Sequence, residues 1–157
     1  MALTPPTDPD PRLWHRHFAA LGNNRAWELS VQVRDAAGDH ELLDAAHASA
    51  WHWQAVGTEL NRMRAGMLLA QVHALLGHGK TALGYAQGMR AYFRAQAQTP
   101  DWELAFAEVV YAHAAFAAGR REEHQAGYRA AEKALAAIAD EEDRAVVLMT
   151  FRQVPAP

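Results

Sequence analysis

Residues 62–97 read RMRAGMLLAQVHALLGHGKTALGYAQGMRAYFRAQA, and this stretch decides the fold class. Apolar residues recur at steps of three and four on both sides of Gly77, which is the spacing of helices with one buried face. Glycine ends a helix easily because it adopts the left-handed conformation without a Cβ penalty. The pattern therefore predicts two antiparallel helices over residues 58–97, joined by a tight turn at Gly77.

Gly84 and Gly88 lie one turn apart in the second helix of this hairpin. Each glycine destabilises a helix by about 1 kcal/mol relative to alanine. Together they leave a bare strip on which another backbone can approach closely. We expect packing against a neighbour to offset their cost.

Composition restricts the class of protein. The 157 residues suffice for one domain with a sizeable core, and valine, isoleucine and threonine are too scattered for a sheet. A formal charge of −3 argues against partners that are nucleic acids or anionic membranes, and the lack of cysteine excludes disulfides and thiolate chemistry. No apolar run is long enough to span a membrane, and the N-terminus lacks the features of a secretory signal. We expect a cytoplasmic protein.

The rest of the chain repeats the hairpin pattern. The proline-rich residues 1–9 are expected to form a flexible arm before a single helical domain, residues 10–152. A short helix from Pro11 to Leu21 is predicted to stop at Gly22. The helix pairs that follow are predicted at about 24–56, 58–97 and 100–139, with a capping helix at 140–152. The central glycines of the three pairs, spaced by about 40 residues, are Gly38, Gly77 and Gly119.

The three pairs resemble the tetratricopeptide repeat (TPR) family, of the stand-alone bacterial kind. The positions that match the family pattern are Trp27, Gly38, Leu69, Ala70, Gly77, Ala82, Ala112, Gly119, Tyr128 and Ala131. The sequence departs from the pattern at Gly66, His73 and Ala86, where aromatic residues are usual. The resemblance covers about residues 24–139. It implies an all-α fold, an α-α superhelix of three hairpins with an N-terminal helix and a C-terminal capping helix.

The resemblance also implies a function. In TPR-like proteins the first helices of the pairs line a concave groove that binds an extended or helical segment of a partner. The matching positions here are Arg25, Glu28, Gln32, Asp35, Arg64, Met67, Gln71, Phe106, Val109, His113 and Phe116. Such a mixture suits binding of a peptide backbone and a carboxylate. The implied function is a non-catalytic scaffold for a protein or peptide, without a cofactor; alternatively, these are ordinary surface and core residues.

A second interpretation starts from the histidines of the third predicted helix. His40, Asp44 and His47 share one helical face, and two imidazoles with a carboxylate can hold zinc or iron. A further ligand must come from another element, for which His73 and His113 are the candidates. This pattern favours a metal-binding protein or a metal-dependent enzyme. The competing interpretation is that the histidines pack between helices.

Two features point to further contacts. Trp51 and Trp53 are two residues apart and therefore point to different sides of their helix, one into the core and the other toward a neighbour or a groove. The last helix has more apolar residues than one buried face requires: Val146, Val147, Leu148, Met149 and Phe151. It is predicted either to cover the third pair or to form a homodimer across a two-fold axis. No carboxylate pair or nucleophile turn is evident, so we do not expect an enzyme.

Overall fold

A computed structural model describes residues 3–157, and within this range the chain is all-α, without a strand. Its seven helices are α1 Pro11–Ser30, α2 Ala36–Val56, α3 Glu59–Leu75, α4 Gly79–Ala95, α5 Asp101–Ala117, α6 Arg121–Ala137 and α7 Glu141–Phe151. None of these helices combines the length and the apolarity that crossing a membrane requires. Of the predicted N-terminal arm, residues 1–2 lie outside the described residues, and residues 3–9 contain no helix.

The first helix is longer than predicted. α1 continues through Gly22 to Ser30, so the predicted stop at Gly22 and restart near residue 25 are wrong. A Cβ atom at Gly22 would lie 2.7 Å from the carbonyl oxygen of Ala45 in α2. The two helices are therefore close enough here that a larger residue would clash. This glycine serves a contact between helices and does not end one.

The turn of the first hairpin also lies elsewhere than predicted. Gly38 is inside the first turn of α2, and the connection between the helices is residues 31–35. Asp35 caps α2, because its Oδ1 accepts a hydrogen bond from the N–H of Gly38 at 2.9 Å. The prediction of Gly38 as a helix breaker is wrong. Gly77 and Gly119, with φ of 74° and 69°, confirm the other two predicted turns.

The order in which the helices pack is compatible with a helical repeat. Each helix packs against the next, α3 also packs against α1 and α5, and α7 packs against α5 and α6. No Cα atom of α2 lies within 8 Å of α4, and the same holds for α4 and α6. α3 therefore lies between two helices that do not touch through their backbones, and so does α5.

The core is built around α5. Its residues from Ala105 to Ala115 are all buried, which explains why this helix is apolar almost all round. α7 places Val147 in the same core and leaves Val146 and Met149 exposed. The chain after α7 is held to the end of α1, since Gln153 Nε2 donates to the Ser30 carbonyl at 2.7 Å.

Candidate functional site: an open groove over α3

One open groove has α3 as its floor and α2 and α4 as its walls. It encloses about 460 Å³. The lining residues are His47, Ala50, Trp51, Gln54, Arg62, Met63, Ala65, Gly66, Leu69, Gly84, Tyr85, Gly88 and Met89. We refer to it as the α3 groove.

Three of the lining residues are glycines in helix interiors, Gly66, Gly84 and Gly88. A Cβ atom at any of them would meet no atom of the described chain within 4 Å. None of the three has a positive φ, so the backbone does not require glycine either. The bare strip predicted at Gly84 and Gly88 is therefore present, but no helix of the described chain covers it. Packing within the chain does not offset the cost of these glycines.

Aromatic side chains stand at the rim of the α3 groove. Trp51 is 73% exposed, and Tyr85 is also exposed on the opposite wall. Trp53 is half-buried, so Trp51 is the member of the tryptophan pair that points outward. An exposed indole ring beside a surface that lacks Cβ atoms is typical of surfaces that bind apolar side chains.

Charge contributes little to this surface. Arg62 is the one charged side chain in the lining, and its Nη1 already donates to the carbonyl of Gly57 at 2.7 Å. No carboxylate belongs to the lining within the described chain. Among the residues that the structure describes, the lining of the α3 groove is therefore mainly apolar, with a single cation.

A chain of three histidines lies at one end of the α3 groove. His47 Nε2 of α2 lies 3.2 Å from His73 Nε2 of α3, and His73 Nδ1 lies 3.1 Å from His78 Nδ1. The ring of Tyr85 lies parallel to that of His73, with centroids 6.0 Å apart. Burial lowers the pKa of His73, and the neighbouring His47 and His78 lower it further. His47 also lines the α3 groove, so the chain of histidines adjoins the groove through this residue.

The residues that the family resemblance placed in a groove do not form one open face. Several are buried: Met67, Gln71, Phe106, Val109 and His113. Arg64 is bound to the buried Glu103, with Nε 2.5 Å from Oε1. Gln71 Nε2 donates to Gln153 Oε1 of the C-terminal segment at 3.4 Å.

The other residues of that set are occupied near the first hairpin or exposed at separate places. Arg25 pairs with Glu28 at 3.0 Å and with Glu41 of α2 at 2.6 Å. Asp35 is the cap of α2. Gln32 and Phe116 are exposed beyond the end of α1 and at the end of α5.

The candidate metal ligands are also separated. His40 and Asp44 line a shallow surface with Arg25 and Glu41, whereas His47 faces His73. Within residues 3–157, no group of three or more histidine, cysteine, aspartate or glutamate side chains is placed to hold a metal ion. Of the two second-element candidates, His73 does meet His47. His113 is buried in α5, where burial and the nearby His124 lower its pKa to about 4.

Sequence reasoning missed two buried carboxylates, Glu103 and Glu108 of α5. Glu108 accepts from Arg90 at 2.7 Å and from Arg94 at 2.5 Å, both of α4. The sequence carries a signal for Glu108: it stands alone in the apolar body of its helix, and the preceding helix carries two arginines one turn apart, Arg90 and Arg94.

Comparison of the chain with protein family models, with curated proteins and with solved structures gave no match. The α3 groove is thus the feature from which a function can be inferred.

Proposed function

We propose that the chain is a non-catalytic, TPR-like interaction scaffold, and that the α3 groove binds a helical segment of a partner protein. The packing order supports the architecture: α1, α3 and α5 contact one another in succession, whereas α2, α4 and α6 do not. Stacked hairpins bring their first helices together in this way. The grooves between the second helices are then regular features of the stack.

The observation that carries the proposal is the set of glycines open to the α3 groove. Gly84 and Gly88 are spaced by one helical turn, and Gly66 lies on the floor beside them. A helix presents ridges of side chains at the same spacing, and these fit between the walls of a groove. With no Cβ atoms in the way, the partner backbone can approach closely. That approach gives the glycines the packing role that they lack within the chain.

The partner helix is expected to present an apolar face. Trp51 is exposed at the rim, and buried aromatic anchors contribute strongly to binding energy in protein interfaces. Arg62 is already bonded to a carbonyl, and the lining holds no carboxylate in the described chain. The proposal therefore differs from the carboxylate-binding groove that the family resemblance implied.

The proposal is tested by filling the α3 groove. Gly88→Leu places a leucine side chain in open space, so the fold is expected to remain intact. A photo-crosslinking amino acid at Gln54, on the groove wall, should capture a protein from native lysate, and Gly88→Leu should abolish the capture. The matched control is Gln87→Leu, which introduces the same side chain at the preceding residue, outside the groove lining. This control should leave the capture unchanged.

A synthetic peptide covering the cross-linked segment makes the test quantitative. It should bind the unmodified chain and Gln87→Leu equally and Gly88→Leu at least about tenfold more weakly, which is 1.4 kcal/mol. Two results would contradict the proposal. One is cross-linking at Gln54 no stronger than at the exposed Glu132 of α6. The other is a peptide affinity that Gly88→Leu leaves unchanged.

A further inference from the structure

We infer that the chain His47–His73–His78 is a proton-sensitive latch that fixes the geometry of the α3 groove and releases it on acidification. The effect on partner binding rests on the proposed function, whereas the change in geometry is a property of the chain alone. The three histidines lie in or beside the three helices that form the groove. His47 is in α2, His73 is in α3, and His78 immediately precedes α4.

The latch follows from counting protons. A contact between two ring nitrogens is a hydrogen bond only when one nitrogen carries a proton and the other does not. In the neutral chain both contacts, of 3.2 and 3.1 Å, satisfy this condition if His73 donates on one side and accepts on the other. One added proton is also tolerated on any of the three rings, because the remaining neutral rings can reverse their tautomers.

A second added proton breaks the chain. Cations on two adjacent rings point two N–H groups at each other. Cations on His47 and His78 together require His73 to accept on both nitrogens, which a neutral imidazole cannot do. At least one contact must then open. Opening the contact removes a link between α3 and either α2 or the start of α4. In our proposal the released element shifts and the width of the α3 groove changes.

No neighbouring side chain of the described residues compensates the added charge. Tyr85 of α4 faces His73 through its ring, and Arg62, the charged residue of the groove, is itself a cation bonded to a backbone carbonyl. Asp44 of α2 and Lys80 of α4 line other surfaces. In residues 3–157, no carboxylate forms an ion pair with any of the three histidines. His73 is 7% exposed, so water does not reach it freely.

The test measures the distance between the groove walls. The sequence contains no cysteine, so Ala48→Cys in α2 and Gln87→Cys in α4 place two spin labels on exposed positions. The interlabel distance is measured by pulsed electron resonance at about pH 7.5 and about pH 5, on either side of the titration range of imidazole. We expect a shift of about 1–2 Å, the scale of helix displacements in switching proteins.

Two variants separate the latch from general acid effects. In the double variant His47→Asn/His78→Asn, each amide can rotate to offer a donor or an acceptor to His73, so the distance should no longer depend on pH. Both positions are exposed, and the fold should be retained. The matched control is His40→Asn, an exposed histidine of α2 that has no hydrogen bond to the chain of three. It should retain the full shift.

An unchanged distance in the parent protein would overturn the latch, and so would an equal shift in the double variant. Neither result involves a partner, so failure of the latch and failure of the proposed function are distinguishable. The cross-linked peptide described above supplies the second readout. If it binds with equal affinity at both pH values, the groove binds a partner but the histidines do not regulate it. A loss of about tenfold on acidification, absent in the double variant, supports the latch.

Discussion

The molecule contains two grooves of the same construction that differ in the charged residues of their linings. In the α3 groove, α2 and α4 flank α3, and in the next one α4 and α6 flank α5, enclosing about 590 Å³. The second groove is lined by Glu108, Arg94 and Lys133 among others. Glu108 is buried and held by Arg90 and Arg94, and Arg90 also lies 3.9 Å above the ring of Tyr111. The α3 groove has no carboxylate in the described chain, and three glycines lie in its lining, Gly66 on the floor and Gly84 and Gly88 on the α4 wall.

The difference separates a surface that stabilises the chain from the surface for which we propose binding. In the second groove, which we call the α5 groove, the carboxylate of Glu108 is paired within the chain, and its ion pairs with Arg90 and Arg94 hold α4 against α5. In the α3 groove, the glycines Gly84 and Gly88 cost helix stability, and nothing within the chain offsets that cost. A surface that a protein keeps at the expense of its own stability is the one expected to act on something else.

The largest expected effect is at the ion pair of the α5 groove. Glu108→Ala leaves Arg90, whose side chain is mostly buried, without its carboxylate, and should lower the free energy of unfolding by about 3 kcal/mol. Urea denaturation measures this. The exposed pair of Arg25 and Glu41 is the control, and Glu41→Gln should have little or no effect. If both variants behave alike, the α5 groove is not stabilised by its charges and the contrast between the grooves fails.

The second effect concerns the histidine buried in α5. Burial, together with the nearby His124, lowers the pKa of His113 to about 4. In the unfolded chain the pKa is about 6.5, so the unfolded state binds more protons between these values. The stability is therefore complete above about pH 6.5 and is lost as the pH falls toward 4, by roughly 3 kcal/mol.

His113→Leu removes this titration. Its free energy of unfolding, measured by denaturant titration at a series of pH values, should fall less on acidification than that of the parent protein. Parallel curves for the two proteins would show that His113 is not the origin of the pH dependence. The comparison with His73 is informative, because His73 has two imidazole partners whereas His113 Nδ1 has none in the described chain.

Alanine substitutions at two glycines of α4 should change the free energy of unfolding in opposite directions. A Cβ atom at Gly79 would lie 2.1 Å from the carbonyl oxygen of Ala117, so Gly79→Ala should destabilise the protein by about 1–3 kcal/mol. At Gly88 the Cβ atom meets nothing, so Gly88→Ala should stabilise it by about 0.5–1 kcal/mol. Thermal unfolding of both variants measures the pair. A destabilising Gly88→Ala would mean that this glycine serves the fold, and the binding argument would lose its basis.

The predictable part of the fold was local. Gly77 and Gly119 end helices because each adopts the left-handed backbone conformation. The spacing of the apolar residues on either side predicts both turns. Gly22 and Gly38 are also glycines, but unlike Gly77 and Gly119 they lie inside helices. The reason for Gly22 is the carbonyl of Ala45 on another helix, which no pattern within α1 contains. A glycine that serves a tertiary contact cannot be told from a helix end by its neighbours in sequence.

The site divides in the same way. The spacing of Gly84 and Gly88 predicted a bare strip, and the structure places it in the open groove. The helical spacing predicted that His40, Asp44 and His47 share a face, but His40 and Asp44 line one surface whereas His47 lines the α3 groove and meets His73 of α3. The metal interpretation depended on which ring nitrogens converge, and helical periodicity does not contain that information.

The smallest expected effect on stability is at Trp51, and it contrasts most sharply with binding. Because the indole is 73% exposed, Trp51→Ala should change the free energy of unfolding by less than about 0.5 kcal/mol. The same substitution should weaken binding of the cross-linked peptide by about 2 kcal/mol or more, as expected for an aromatic anchor. The control is Trp27→Ala, because Trp27 packs against buried residues of the core and its ring centroid lies 5.5 Å from that of Phe106. That variant should destabilise the fold. If instead Trp51→Ala leaves peptide affinity unchanged, the exposed indole does not contribute to binding, and the peptide contacts the glycine-containing lining of the α3 groove without it.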